Sequence, residues 1–340
     1  SFGYESIETP TFEFFDVFSK EIGTTPSKEL YKFFDKEGNT LVLRPDFTPS
    51  IARCAAKYYM DETQPIRFCY KGNTFINTGS LQGKLKEVTQ MGAELMNDDS
   101  VEADAEMIAL VVESLLQTGL KEFQISIGEV EYFKGLCEEA GLSLETAEDL
   151  RELISGKNLF GAEELLKERN VCTEERERLL KISDFFGAVE ILDEAEEQVH
   201  NETSKQAVLH LKKLYEVLKA YGVEKYVSFD LGMLSKYHYY TGVIFKAFSY
   251  GVGDAIVKGG RYDKLLGYFG KSAPAIGFAV VIDDLLLSLE RQNGTYQEKP
   301  VVQKITYTES NYTEKLKMAQ TLRGEGRRVA LIPETERTEV

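Results

Sequence analysis

Cysteine is sparse: Cys54, Cys69, Cys137 and Cys172 are scattered along 340 residues with no C-x-x-C pair. That argues against a structural zinc site and a disulfide framework, and it suits a reducing cytoplasm. Histidine is scarcer. His200, His210 and His238 are too few and too isolated for a histidine-based metal site, so no metal and no cofactor is expected. His210 lies in a helical pattern, which predicts a surface or boundary position. No apolar run reaches the span of a bilayer, and the opening Ser1-Phe2-Gly3-Tyr4-Glu5 is neither basic nor followed by an apolar stretch. Neither a membrane partner nor a signal peptide is expected. That opening reads as the middle of a domain, which predicts a natural segment ahead of it. Positive charge is in deficit as well, the net charge being −16. Nucleic-acid binders usually carry a basic stripe because neutralising phosphates drives their affinity, so the balance counts against a tRNA partner.

What is present divides into regions. Leu41-Val42-Leu43-Arg44-Pro45 reads as a strand stopped by its proline, and Thr48–Met60 as a helix with Thr48 at the N-cap and Pro49 in the first turn. Ile66–Phe75 and Lys84–Met96 read as an antiparallel strand pair. Asp99, with Glu102 three residues on, predicts the cap of a helix ending near Gly119. From Val130 to Tyr221 proline is absent and apolar residues recur at helical spacing, which predicts a helical insertion and a return helix over Lys205–Tyr221. The charge run Glu174-Glu175-Arg176-Glu177-Arg178 is most simply a solvated helix face. Strand signals return at Val227–Leu234 and Thr241–Tyr250, then a glycine-rich turn at Gly259–Asp263 and an apolar helix over Ile276–Leu289. Beyond a polar linker at Asn293–Pro300, Lys304–Pro333 reads strand, helix, strand. The expected domains are a discontinuous core (1–130 and 205–293), an insertion (131–204) and a partial α/β segment (301–340).

Four segments go beyond a generic core: Arg44-Pro45-Asp46-Phe47-Thr48-Pro49, Gln90-Met91-Gly92-Ala93-Glu94, His238-Tyr239-Tyr240-Thr241-Gly242 and Gly259-Gly260-Arg261-Tyr262-Asp263. In a strand, Gln90, Gly92 and Glu94 share one face, and the glycine between them removes a side chain where a ligand can lie. Asp46 and Thr48 are likewise two apart in a segment read as extended. Two carboxylates, an amide, a hydroxyl and several tyrosines suit a cationic, hydrogen-bonding ligand such as an amino acid. Each segment has a plainer reading alone: a helix cap, a pair of core aromatics, an ordinary turn. Their joint order and spacing favour the pocket.

Together these segments resemble the class II histidyl-tRNA synthetases. Gly3-Tyr4-Glu5 through Thr9-Pro10 looks like the first class-defining motif, Arg67–Glu94 is similar to the second, and Pro274–Leu285 to the third; Tyr239-Tyr240-Thr241-Gly242 looks like a histidine-specific signature. The likeness covers roughly residues 1–98 and 225–290, with a helical insertion between, as that family has. It implies an α+β fold: a six-stranded antiparallel sheet flanked by helices, with a dimer made through the first motif. It also implies histidine-binding roles for Asp46, where synthetases carry Glu, and for Thr48, Gln90, Glu94, Tyr239, Tyr240 and Tyr262.

The departures bear on function. Where synthetases grip ATP after the second-motif Phe, this chain has Phe75-Ile76-Asn77-Thr78. The third-motif arginine corresponds to Asp284 and the adenylation arginine to Ser235. Adenylation builds negative charge on phosphate and needs preorganised cations, so no catalytic residue is assigned. Lys84 and Lys86 stand where synthetases carry arginines, but a point charge replaces a fork poorly. Keeping the histidine pocket while losing the ATP site resembles the regulatory subunits of ATP phosphoribosyltransferase. That resemblance implies a short catalytic subunit as partner, L-histidine as effector and a homodimer within a hetero-oligomer. The rival reading is a divergent histidyl-tRNA synthetase that still activates histidine.

Overall fold

The computed structural model describes residues 2–18, 25–79, 85–234, 239–293 and 301–334. Chain contacts divide it into two units, residues 1–292 and 293–340. In chain order the first unit contains β1 (Glu5–Ser6), β2 (Phe12–Phe14), β3 (Lys32–Phe34), β4 (Thr40–Leu43), α1 (Thr48–Tyr58), β5 (Ile66–Phe75), β6 (Glu87–Met96), α2 (Val101–Gln117) and β7 (Phe123–Glu129). The inserted helices follow: α3 (Val130–Glu139), α4 (Leu144–Ser155), α5 (Leu159–Glu168) and α6 (Thr173–Lys181), then β8 (Phe186–Gly187) and α7 (Ile191–Glu197). The return helix α8 (Glu202–Tyr221) leads to β9 (Val227–Asp230), β10 (Val243–Ser249), β11 (Val257–Arg261), β12 (Ala275–Val281) and α9 (Ile282–Asn293).

Among the described residues nine strands form the main sheet, in the order β1-β5-β6-β12-β11-β10-β7-β9-β8. Its six central strands, β5 to β7 in that order, pair antiparallel throughout, as the resemblance implies. The mixed character comes from the flanks, where β1 runs parallel to β5 and β9 parallel to β7. Strand alternation sorts the side chains: Ala93, Leu95, Ile127, Phe245 and Phe278 join the large core with α2 and α8. Phe68, Tyr70, Met96 and Tyr262 face the other way, onto α1. A separate small sheet, β2-β4-β3, stands beside α1. No helix among the described residues is long and apolar enough to cross a membrane.

The second unit holds β13 (Gln303–Tyr307), α10 (Tyr312–Gly324) and β14 (Val329–Pro333), the strand-helix-strand order read from the sequence, with the strands parallel.

Several local expectations are corrected. Thr48 is the first residue of α1, not its cap; Phe47 precedes it in helical conformation, so the stretch from Asp46 to Thr48 is not extended. Pro49 does occupy the first turn. Ser100, not Asp99, caps α2, its hydroxyl accepting from the Ala103 N–H while Asp98 accepts from Ser100. Gly259 and Gly260 are not a turn but the middle of β11. A Cβ at Gly260 would meet the Tyr240 ring 2.7 Å away, so glycine here serves close packing. The run read as one helix over Ile276–Leu289 is strand β12 followed by α9; a doubly buried strand and a buried helix look alike in an apolar run. The inserted region is helical apart from β8, which pairs with β9.

Candidate functional site

Glu94 lies in the middle of the sheet, 1% exposed, and both its carboxyl oxygens are occupied. Thr48 donates its hydroxyl to Oε1 at 2.8 Å, and the Tyr262 phenol donates to Oε2 at 2.5 Å. Three elements converge here: β6 carries Glu94, the start of α1 carries Thr48, and the residue after β11 is Tyr262. Gly277, paired with Glu94 across β6 and β12, leaves the space that the carboxyl fills; a methyl there would fall on Glu94 Oε2. Burial pushes the Glu94 carboxyl up to about 8, against the two hydrogen bonds and with the help of the Asp46 charge. Burial, and then the neighbouring Glu94, hold the Tyr262 phenol well above its ordinary range. The pair therefore presents a proton donor and a carboxyl that ionises near neutrality when a cation approaches.

Asp46 completes the second carboxylate, its Oδ1 accepting from the Thr48 N–H at 3.2 Å. Tyr239 and Tyr240 pack over the pair: their ring centroids are 4.6 Å apart, and Tyr239 meets Tyr262 edge-on at 5.9 Å. Asp46, Thr48, Glu94, Tyr239, Tyr240 and Tyr262 are thus assembled in one place. Gln90 is the outlier. It shares the Glu94 face of β6 but sits four residues along, about 13 Å by strand rise. Its Oε1 is buried and accepts no hydrogen bond among the described residues.

Gly92 does not leave an open trough between Gln90 and Glu94. The buried Tyr70 ring and hydroxyl fill the place where a Gly92 side chain would stand. Tyr70 also stacks on Phe47 with centroids 4.5 Å apart, so it floors the site from below α1. The sequence reading missed Tyr70; its alternation with Ile66 and Phe68 toward α1 was the available signal. Arg44 is a brace. Its Nε donates to Asn73 O at 2.8 Å, its Nη1 to Thr9 O at 2.7 Å and Pro10 O at 3.2 Å, and its guanidinium lies 4.1 Å from the Phe47 ring centroid.

Of the positions that the resemblance gives to nucleotide binding, Ile76 donates its backbone N–H to Lys86 O at 3.0 Å, and Asp284 lies in the first turn of α9. Lys86 donates to Asn77 at 3.4 Å. Lys84, Ser235 and His238 lie outside the described residues.

A family model described as histidyl-tRNA synthetase matches residues 1–285. The chain is 44% identical over 324 residues to an ATP phosphoribosyltransferase regulatory subunit of Acetivibrio thermocellus, covering 95% of this chain and 78% of that protein. It is 42% identical over 323 residues to a protein of the same description from Ruminiclostridium cellulolyticum, covering 95% and 77%. The chain belongs to the ATP phosphoribosyltransferase regulatory subunit family, within the histidyl-tRNA synthetase-like fold. A solved structure from Bacillus halodurans C, described as an ATP phosphoribosyltransferase regulatory subunit/histidyl-tRNA synthetase, superimposes with TM-score 0.87 at 36% identity over 99% of this chain and 86% of that one. Histidyl-tRNA synthetase from Nostoc sp. PCC 7120 shares the fold, with TM-score 0.80 at 21% identity over 99% and 80%.

Proposed function

We propose that this chain is a non-catalytic regulatory subunit of ATP phosphoribosyltransferase. In this reading it holds a short catalytic chain in a cytoplasmic hetero-oligomer and senses histidine at the Glu94 site, which serves the first step of histidine biosynthesis and its feedback inhibition. The observation that carries the reading is the buried Glu94 with its two donors, in a chain that has Ile76 and Asp284 where a synthetase needs cations. An imidazole N–H would bond to Glu94, with Tyr262 and Thr48 fixing the carboxyl and Asp46 meeting the ligand ammonium. Tyr239, Tyr240 and Gln90 would line the remainder. Histidine would shift the complex toward the quaternary state that binds it better.

Self-association would be served by the small sheet that follows the first motif. Phe12 and Phe14 of β2 and Phe33 of β3 stand on one face with Leu41 and Leu43, and all three phenylalanines are exposed. A tRNA role fits less well, because residues 131–204 carry 20 acidic against 8 basic side chains.

The test is Glu94→Ala in the reconstituted complex. Histidine inhibition should weaken by about tenfold or more, as expected for a lost charge-assisted bond, with uninhibited activity largely retained. An unchanged inhibition curve would place the effector elsewhere.

A further inference from the structure

Behind β11, on the face opposite Glu94, four titratable side chains meet where the core reaches a half-buried His210. Arg261 adjoins Tyr262 in sequence, and its Nε and Nη2 both donate to Asp104 Oδ1 of α2, at 2.9 and 2.6 Å. Asp104 Oδ2 lies 3.1 Å from Nε2 of His210 on α8, an ion pair rather than an aligned bond, since that oxygen accepts none among the described residues. His210 Nδ1 lies 3.0 Å from Glu129 Oε2 at the end of β7. Asp104 and Glu129 are buried, and Arg261 is 6% exposed. The sequence reading gave His210 a boundary position, which it has, but not these partners.

A neutral imidazole carries a single N–H, yet here each ring nitrogen faces a carboxylate oxygen. The ring can serve both carboxylates at once only when protonated, and the cluster then sets Arg261 and His210 against Asp104, Glu129 and the flanking Asp263. Burial opposes that charge, and the contacts to Asp104 and Glu129 outweigh it, holding His210 up at about 9. Other charges on packed elements are already engaged. Asp193 and Glu196 of α7 hold Lys212 of α8, Glu131 of α3 holds Lys134, and Asp263 turns back on Arg261 at 3.2 Å.

The placement matters. Glu129 is the residue at which the chain leaves the sheet into α3, and His210 sits on α8, by which it returns. Arg261 adjoins the residue that donates to Glu94. We propose that this quartet is the joint through which the state of the Glu94 site reaches the helical insertion, with His210 as its positioning residue. The proposal rests on the ligand reading of the Glu94 site only for its effector. The joint itself is a property of this chain: a change at Tyr262 moves Arg261, alters its hold on Asp104, and so alters how strongly Asp104 holds the imidazolium. By linkage the influence runs equally in the other direction.

The test follows the His210 ring by nuclear magnetic resonance through an alkaline titration of the full chain. In Tyr262→Phe the midpoint should rise by about half a unit or more, because Arg261 then screens Asp104 less. Saturating histidine should also displace it. In calorimetry, His210→Gln should bind histidine about fivefold or more weakly, and His210→Arg, whose fork can serve both carboxylates, should recover most of the loss. An unmoved midpoint in Tyr262→Phe overturns the joint, even if His210→Gln fails to fold. If wild type binds no histidine while the midpoint moves in Tyr262→Phe, the effector assignment fails and the joint stands.

Discussion

Tyr262 and Glu94, 168 residues apart in sequence, meet in a 2.5 Å hydrogen bond inside the protein. Because Glu94 is buried, its carboxyl ionises near pH 8 in the fold against an ordinary value of 4.5. A raised carboxyl favours the neutral form, so the Glu94 contribution to stability should decline as pH rises from about 4.5 to about 8 and then level. Glu94→Gln does not titrate. Relative to wild type it should gain stability steadily from pH 5 to 8, with no further gain above that, in denaturant unfolding at a series of pH values. A difference independent of pH would show that Glu94 is not held neutral.

Histidine-dependent ATP–pyrophosphate exchange should be absent from the isolated chain. On the proposed reading, Ile76 and Asp284 stand where a synthetase would place guanidinium partners for the developing phosphate charge. Clear exchange above an enzyme-free blank would restore the synthetase reading.

Gly277→Ala should destabilise the fold by about 1–3 kcal/mol, the usual cost of an added methyl in a packed interior. The methyl would fall on Glu94 Oε2, and Ala93 O lies 2.9 Å from the same point. A double-mutant cycle with Glu94→Ala should recover part of that loss; strict additivity would mean that the two positions do not share the space.

Arg44→Lys should lower unfolding stability by about 1.5–3 kcal/mol, because one ammonium cannot reproduce bonds to Asn73 O, Thr9 O and Pro10 O together with stacking on Phe47. Thermal unfolding is the measurement, and an unchanged midpoint would remove Arg44 as a brace.

The strands carrying Arg67 and Glu94 were legible because period-two patterning and short turns act locally, and so was the helix after Pro49. Pattern failed where tertiary packing decides. Gly259 and Gly260 carry turn residues, but their lack of side chains serves the Phe245 and Tyr240 rings on either face of β11. Ile276 to Val281 alternates between two buried faces, so its run lacks the polar beat that marks a strand. Most of the Glu94 pocket could be listed from motif order, whereas the displacement of Gln90 and the intrusion of Tyr70 depend on which strand lies beside which. The Asp104–His210–Glu129–Arg261 cluster left no trace, since its members come from four elements and share no spacing.

Tyr70 and Gly92 divide one volume between two positions on adjacent strands. Gly92 is the more constrained of the two: a Cβ there would meet the Phe278 carbonyl oxygen at 2.2 Å as well as the Tyr70 hydroxyl at 2.3 Å, so shrinking Tyr70 opens a void without making room for a side chain at 92. Across relatives glycine should therefore hold at 92 whatever stands at 70, and a variant library sampling both should recover functional chains only with glycine at 92.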